Sequence, residues 1–337
     1  MNTSLQQAIF DHIRRQVPPE QKLADVLSGL LHLQKGAVYK RLSGATPLTL
    51  EELAILAEHF TLPVHELFYP DKPMFMAEFS AAAAPVSVME YLRLLEADLS
   101  PLAGDPSARV WHVTVGLPDF YYYYFEELTL FQVFTWERMV WRNPAWQHRR
   151  FSLDVPEKKE IMTLATRLAH FFSRLPVVEI WNEYVLDNLF QQILYVAQSR
   201  LYEEKEDIRR LMAAAARLVD HLEQMAFHNR RFVPEGSPSD NDPAWSLYFN
   251  ETMKNNIFFL VESSRGAAVY ATLDNPNFFK TTDAGVVEHI RGVFERLIAQ
   301  AVPVGGADSR YHHAYFEKLK NRLSFFEEQV MRVMEGG

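Results

Sequence analysis

Apolar residues near the amino terminus repeat at helical spacing, and the breaks between them predict four short helices. The first covers residues 4–16, and the second covers 22–31 with leucine and alanine on one face. A third helix over 34–43 turns Val38 and Leu42 inward, and Gly44 ends it. Thr49 and Glu52 have the spacing of a capping box, which predicts that a fourth helix begins there and continues to residue 60.

Two short helices joined by a tight turn are typical of a helix-turn-helix. The segments KLADVL, VYKRLSG and LTLEELAILAEHFTLPVHELF resemble the phage-repressor-like (Xre/Cro-type) helix-turn-helix transcriptional regulators, over roughly the first fifth of the chain. The family usually has glycine in the turn, where this chain has Leu31 and His32, and Gly36 lies early in the helix that follows. The resemblance implies that the helix over 34–43 is the recognition helix, which enters the major groove.

The polar residues on the outer face of that helix are the predicted DNA contacts. Glutamine pairs well with adenine and lysine with guanine, so Gln34 and Lys35 are predicted to contact bases. Arg41, next to the inward Leu42, is predicted to contact a phosphate. The full predicted set is Gln34, Lys35, Tyr39, Lys40, Arg41 and Lys22. The alternative is that these are solvated side chains of a module with another partner.

The rest of the chain predicts a second, larger domain. A proline-rich stretch over 69–73 marks the boundary, so we expect a helix-turn-helix domain over 1–72, a linker or connecting helix over 73–87, and the second domain over 88–337. The pattern in that domain predicts both helices and strands. Helices are expected over 88–99, 120–136, 156–174, 185–196, 206–229, 283–301 and a long last segment, and strands over 109–116, 177–181, 245–250, 256–262 and 267–273.

The predicted fold is therefore multidomain, with an all-α amino-terminal domain followed by a mixed α/β domain. The order of elements in the second domain is similar to phospholipase-D-like regulatory domains of transcription factors, with a hairpin and then a helix led by Thr281, Thr282 and Asp283. The HxK motif of the active enzymes is missing, so this resemblance implies no lipase or nuclease activity. The alternative fold is a set of stacked helix pairs, which a peptide-sensing regulator would have.

Charge and composition limit the function. The chain carries a net charge of −9, but residues 26–50 contain no acid and include Lys35, Lys40 and Arg41, which predicts that DNA contacts are confined to the first domain. There is no cysteine, so disulfides and thiolate sites are excluded. The apolar stretch over 120–141 contains four charged residues, which disfavours a membrane span. We expect a cytoplasmic protein.

The sequence contains no recognisable catalytic motif, and we expect no metal or cofactor. His312 and His313 are adjacent, so they cannot chelate as an i, i+4 pair. The aromatic residues over 121–136 have two interpretations, which are core packing and the lining of an apolar effector pocket.

These observations predict a cytoplasmic, sequence-specific DNA-binding transcriptional regulator with a carboxy-terminal effector-sensing and dimerisation domain, and not an enzyme. The expected partners are double-stranded DNA, a second copy of the chain, and a small or lipid-like effector. The last helix is the expected dimer seam. The alternatives are a peptide-sensing regulator with a helical-repeat domain and an enzyme with an accessory DNA-binding module.

Overall fold

The chain folds into two compact units, Met1–Met76 and Ala77–Gly337. The structure is a computed structural model, and it describes residues 5–60, 62, 75, 77–79, 87–253, 257–274, 277–306 and 309–336. Apart from Leu62, the segment TLPVHELF (residues 61–68) that contributes to the helix-turn-helix resemblance lies outside the described residues, as does the predicted boundary over 69–73.

The first unit contains four helices at the predicted positions, α1 (Leu5–Gln16), α2 (Leu23–Leu30), α3 (Lys35–Leu42) and α4 (Leu50–Phe60). All four contribute side chains to one small core. Its fully buried members include Phe10, Ile13, Leu27, Val38 and Leu56. Ile13, Leu27 and Val38 lie on the apolar faces that the helical spacing predicted, whereas Phe10 and Leu56 were not predicted to face inward and Leu50, which was, is 81% exposed.

Side chains fix the connections between these helices. Thr49 and Glu52 form the predicted capping box, since Thr49 N–H donates to Glu52 Oε2 at 3.0 Å and Glu52 N–H donates to Thr49 Oγ1 at 3.2 Å. The Gln6 amide of α1 donates to the carbonyls of Arg41 and Thr46 at 2.7 and 2.9 Å, and its oxygen accepts from Leu48 N–H at 3.0 Å. The side-chain amide of Gln6 therefore fixes the segment that connects α3 to α4.

The second unit is built from seven helices around an eight-stranded sheet, counted over the described residues. The helices are α5 (Val88–Ala103), α6 (Glu126–Thr135), α7 (Lys158–Ser173), α8 (Asp187–Gln198), α9 (Lys205–His228), α10 (Ala284–Ala299) and α11 (Arg310–Glu335). The strands are β1 (Glu78–Phe79), β2 (Arg109–Thr114), β3 (Val177–Trp181), β4 (Trp245–Phe249), β5 (Phe258–Ser263), β6 (Gly266–Asp274), β7 (Asn277–Thr281) and β8 (Val302–Pro303).

The sheet has the strand order β1-β7-β6-β5-β2-β3-β4-β8. The central strands β2, β3 and β4 are parallel, with His112 opposite Glu179 and Glu179 opposite Leu247. The other neighbours are antiparallel. The predicted hairpin between β5 and β6 is confirmed, and its turn uses Gly266 at φ +112°, a conformation that favours glycine.

The two faces of the sheet are covered by different helices. One face packs against α10, with Val113, Ile180 and Leu260 of the sheet against Val287 and Phe294. The other face joins a larger core that contains the remaining helices of the unit and most of its aromatic residues. The mixed α/β class is therefore confirmed, and the alternative of stacked helix pairs is wrong for this unit.

Several predicted elements differ from the structure. The aromatic segment is not one helix, because Asp119–Tyr124 form a 3-10 helix, α6 follows, and Trp136–Val140 form a π-helical turn. Strands β1, β7 and β8 were not predicted, and β1 lies inside the predicted linker over 73–87. The other predicted strands and helices are present within a few residues of the expected bounds.

The last helix does not present an apolar seam. The apolar residues of α11, including Phe316, Leu319 and Val330, are buried against α8 and α9 of the same chain. This corrects the expected dimer seam, since that face would have to unpack before it could bind a second copy. Among the described residues, none of the helices combines the length and the apolar character that a membrane crossing needs.

Candidate functional sites

The turn between α2 and α3 is short and internally bonded. Leu33 N–H donates to the Ser28 carbonyl at 3.2 Å, and Ser28 Oγ donates to the Leu33 carbonyl at 2.5 Å. His32 has φ +52°, the left-handed region that glycine adopts most easily. The turn thus has a glycine-like backbone although neither Leu31 nor His32 is glycine.

The outer side of α3 carries most of the predicted DNA contacts. Gln34 is the N-cap residue, just before the helix, and its side chain makes no capping hydrogen bond. Its exposed position leaves the amide facing solvent beside the helix amino terminus. Lys35, Lys40 and Lys22 are exposed as well, and Tyr39 is 58% exposed.

Two acidic residues flank this surface and pair with its cations. Lys35 Nζ lies 2.6 Å from Asp25 Oδ1 of α2, and more than half of the Lys35 side chain is exposed. The hydrogen bond to Asp25 raises the pKa of Lys35 above its usual value. Because exposed pairs contribute little and are easily exchanged, Lys35 can leave Asp25 for another anion.

Arg41 is placed differently from the prediction. Its Nη2 lies 2.6 Å from Glu52 Oε1, its Nε donates to Glu52 Oε2 at 2.8 Å, and its side chain is only 13% exposed. A further bond joins Nη1 to the Ala37 carbonyl at 3.3 Å. The guanidinium therefore connects α3 to α4 inside unit 1, and the expectation of an outward Arg41 on a phosphate is corrected. Lys40 forms no ion pair with a described residue.

The second candidate site is a cavity of about 240 Å³ inside unit 2. It lies between the β2, β5 and β6 side of the sheet and a wall made by α5, the 3-10 helix over 119–124 and α7. Aromatic rings form much of the lining, among them Phe120, Tyr122, Phe172 and Phe259. Such a mixture of apolar walls and a few polar groups is typical of small-molecule sites.

Asp119 is one of two carboxylates that line the cavity. Protein atoms surround it, although the residue keeps some solvent exposure. It makes no hydrogen bond or ion pair with a described residue, and burial raises the pKa of Asp119 to about 7. The acid was missed in the sequence because it follows Pro118 in what looked like a simple helix start.

His112 and Glu179 form the polar floor next to the cavity. The His112 ring stacks on Phe259 with centroids 3.7 Å apart and planes 7° apart. Its Nδ1 lies 3.6 Å from Glu179 Oε1, too far for a hydrogen bond. Burial lowers the pKa of His112 below its usual value, and Glu179 opposes that effect. His112 is therefore neutral near pH 7.

Glu179 is fully buried and held by two donors. Tyr121 Oη–H donates to Oε2 at 2.7 Å, and Trp245 Nε1–H donates to the same oxygen at 2.9 Å. The Arg231 guanidinium, 1% exposed, stacks over Phe172 at 3.7 Å and interacts electrostatically with Glu179. This buried polar group ties β3, β4 and the 3-10 helix together behind the cavity wall.

The sequence held a signal for part of this site that was not used. His112 and Glu179 are single polar residues at the centre of otherwise apolar strands, a pattern that marks a buried polar pair. The aromatic segment fits both of its interpretations, because Tyr121, Phe131 and Phe134 are core residues while Phe120 and Tyr122 line the cavity. Within the described part of the chain, no cluster of metal-ligating side chains is present.

Comparison with known proteins adds no assignment: no protein-family model, no curated protein and no solved structure matches this chain.

Proposed function

We propose that this protein is a cytoplasmic, sequence-specific DNA-binding transcriptional regulator of the helix-turn-helix type, with a ligand-sensing second unit. The observation that carries the proposal is the exposed amino-terminal end of α3. Gln34, Lys35 and Tyr39 present polar groups there, and a tight, internally bonded turn sets α3 against α2. In this class of fold, that end of the second helix contacts base edges.

The charge distribution of unit 1 predicts that a single copy of the chain binds DNA with modest affinity. Asp25 and Glu52 each pair with one cation of α3. Among the predicted DNA contacts, this leaves the exposed Lys40 and Lys22 without an ion pair to a described residue. A protein that contacts few phosphates binds DNA weakly, and its affinity falls only slightly as the salt concentration rises. We therefore infer a homodimer that binds two half-sites roughly 34 Å apart.

The cavity supports a sensing role for unit 2. It is partly open, mostly apolar and lined by a small number of polar groups, which suits a small effector. A ligand that binds one conformation of this unit better than another would change DNA affinity, typically by about 1–3 kcal/mol. DNA would change the ligand affinity by the same factor.

An enzyme with an accessory DNA-binding unit is the second candidate. The observation in its favour is His112, neutral and backed by Glu179, at the cavity wall. Turnover of any member of a hydrolase substrate panel, lost in His112→Asn, would support that candidate.

Selection of bound DNA from a random duplex pool tests the main proposal. The full chain should enrich a two-fold symmetric sequence, and light scattering of the complex should give two chains per duplex. Gln34→Ala should relax preference at one or two base positions and leave the salt slope unchanged, whereas Lys40→Ala should weaken all sequences alike. Failure to enrich any sequence, while hydrogen exchange on peptides of α1 to α4 shows that unit 1 is folded, would refute the proposal.

A further inference from the structure

The charge of the cavity lining points to the class of ligand. Among the lining residues that the structure describes, Asp98 and Asp119 are acids, His112 is neutral near pH 7, and none is lysine or arginine. The site therefore favours a cation over an anion.

The two acids differ in whether a nearby cation compensates the carboxylate charge. Asp98 interacts electrostatically with Lys280, which lies over the Tyr270 ring at 5.5 Å. Burial raises the pKa of Asp98, and Lys280 opposes that effect. Asp119 has no such cation nearby among the described residues. A largely desolvated carboxylate without a partner is costly, and a bound cation would lower that cost.

The walls around Asp119 are apolar and aromatic, which suits a ligand whose uncharged part is apolar or aromatic. Phe120 and Phe172 stack with centroids 4.4 Å apart, and Tyr122 is 4% exposed on the same side. Aromatic faces also attract ammonium groups when water is excluded. A volume of about 240 Å³ is small for a ligand pocket and favours a small ligand over a long lipid chain.

We propose that this cavity binds a small apolar molecule carrying one protonated amine, with the ammonium group paired to the Asp119 carboxylate. The inference rests on the proposed sensing function and specifies its effector class. Binding requires ionised Asp119, so complex formation at neutral pH releases the carboxyl proton to solvent from the fraction of molecules that carry it.

Other titrating groups around Asp119 do not produce the same pH response. Tyr91 of α5 and Tyr122 and Tyr123 of the 3-10 helix interact with Asp119, and burial raises the pKa of each. Across the cavity lie His112 of β2, Asp98 of α5 and Tyr270 of β6. The pKa of His112 is lowered and that of Tyr270 is raised, both mainly by burial. Asp98 is the acid that could mimic the effect, and it supplies the control.

Calorimetric titration of the full chain tests the proposal with three probes of one shape. Phenethylamine should bind. Phenethyl alcohol and phenylacetate lack the ammonium group and should bind at least about tenfold more weakly, which is roughly the loss expected for one ion pair shielded from water. The affinity for phenethylamine should rise as the pH is raised towards about 7. Well below pH 7, it should increase about tenfold for each pH unit.

Two matched variants separate Asp119 from Asp98. Asp119→Asn should lose at least about tenfold in phenethylamine affinity and lose its pH dependence, whereas Asp98→Asn should change affinity by less than about threefold. Tryptophan emission during urea unfolding shows whether each variant is folded. Equal losses in both variants, tighter binding of phenylacetate, or no binding of phenethylamine to folded protein would each overturn the proposal.

A gel-shift assay with and without phenethylamine separates this inference from the proposed function. If the amine binds through Asp119 but DNA affinity is unchanged, the ligand class stands and the sensing function fails. If the selected DNA binds but the folded protein does not bind the amine, the regulator stands and the ligand class fails.

Discussion

Replacement of Arg41 by alanine is the most informative perturbation of unit 1, because the structure and the sequence pattern predict different results. The sequence pattern placed Arg41 on DNA, while the structure pairs it with Glu52 through contacts of 2.6 and 2.8 Å. The structure therefore predicts that Arg41→Ala destabilises unit 1 and leaves the salt slope of DNA binding unchanged.

The expected loss is about 2 kcal/mol, since a hydrogen-bonded charged group contributes about 1.5–3 kcal/mol and this pair is partly reached by water. Glu52 keeps its bond from Thr49 N–H, which places the loss in the lower part of that range. For a domain of this size, the melting temperature should fall by roughly 8–16 °C. Lys40→Ala, an exposed neighbour, should stay within about 0.5 kcal/mol.

Hydrogen exchange read on peptides of α3 and α4 measures this stability in the full chain. All six tryptophans lie beyond residue 110, so tryptophan emission reports unit 2 alone and should not change. A double-mutant cycle with Glu52→Gln should give a coupling of about 1–2 kcal/mol. The reasoning is refuted if Arg41→Ala leaves exchange unchanged and lowers the salt slope by about one.

Three further changes follow from described contacts. Asp25→Asn releases Lys35 and removes an acid beside α3, so gel shifts at low salt should show DNA binding about threefold to tenfold tighter. The pKa of Asp119 is raised in the folded state to about 7. Wild-type stability should therefore fall as pH rises from about 4 to about 7, and Asp119→Asn should be more stable at pH 8 by at most about 4 kcal/mol in urea titrations. Glu179→Ala removes the carboxylate near the buried Arg231 and should cost about 3–5 kcal/mol by tryptophan-detected unfolding. Glu179→Gln also removes that charge but keeps an oxygen that can accept from Tyr121 and Trp245, so it should cost less.

Local patterns predicted most of the elements, and long-range contacts explain the errors. The helices of unit 1 and the strand Val177–Trp181 follow from apolar spacing alone. The aromatic segment has apolar residues on every side, so its spacing could not distinguish a continuous helix from the 3-10 and α pieces that form. Strand β1 has two residues and no pattern, and it exists because β7 offers an edge.

Side-chain partners were the least predictable feature. Spacing along α3 gives the direction of the Arg41 Cα–Cβ bond, but its long side chain bends to Glu52 on another helix. Likewise, the cavity brings together residues from β2, α5, α7 and β6, which are far apart in sequence. The apolar composition indicated a pocket, while the position of Asp119 within it depends on the assembled fold.

The strand order also determines when the sheet can be completed as the chain is synthesised. Glu78 of β1 pairs with Lys280 of β7, about 200 residues further along the chain. At a synthesis rate of about 5–20 residues per second, β7 is made about 10 to 40 s after β1. The helices of unit 1 and their core use described residues no later than Leu62, so they can fold during that interval. The β5–β6 hairpin forms locally within microseconds, so attachment of β1 at the sheet edge is among the last steps of folding.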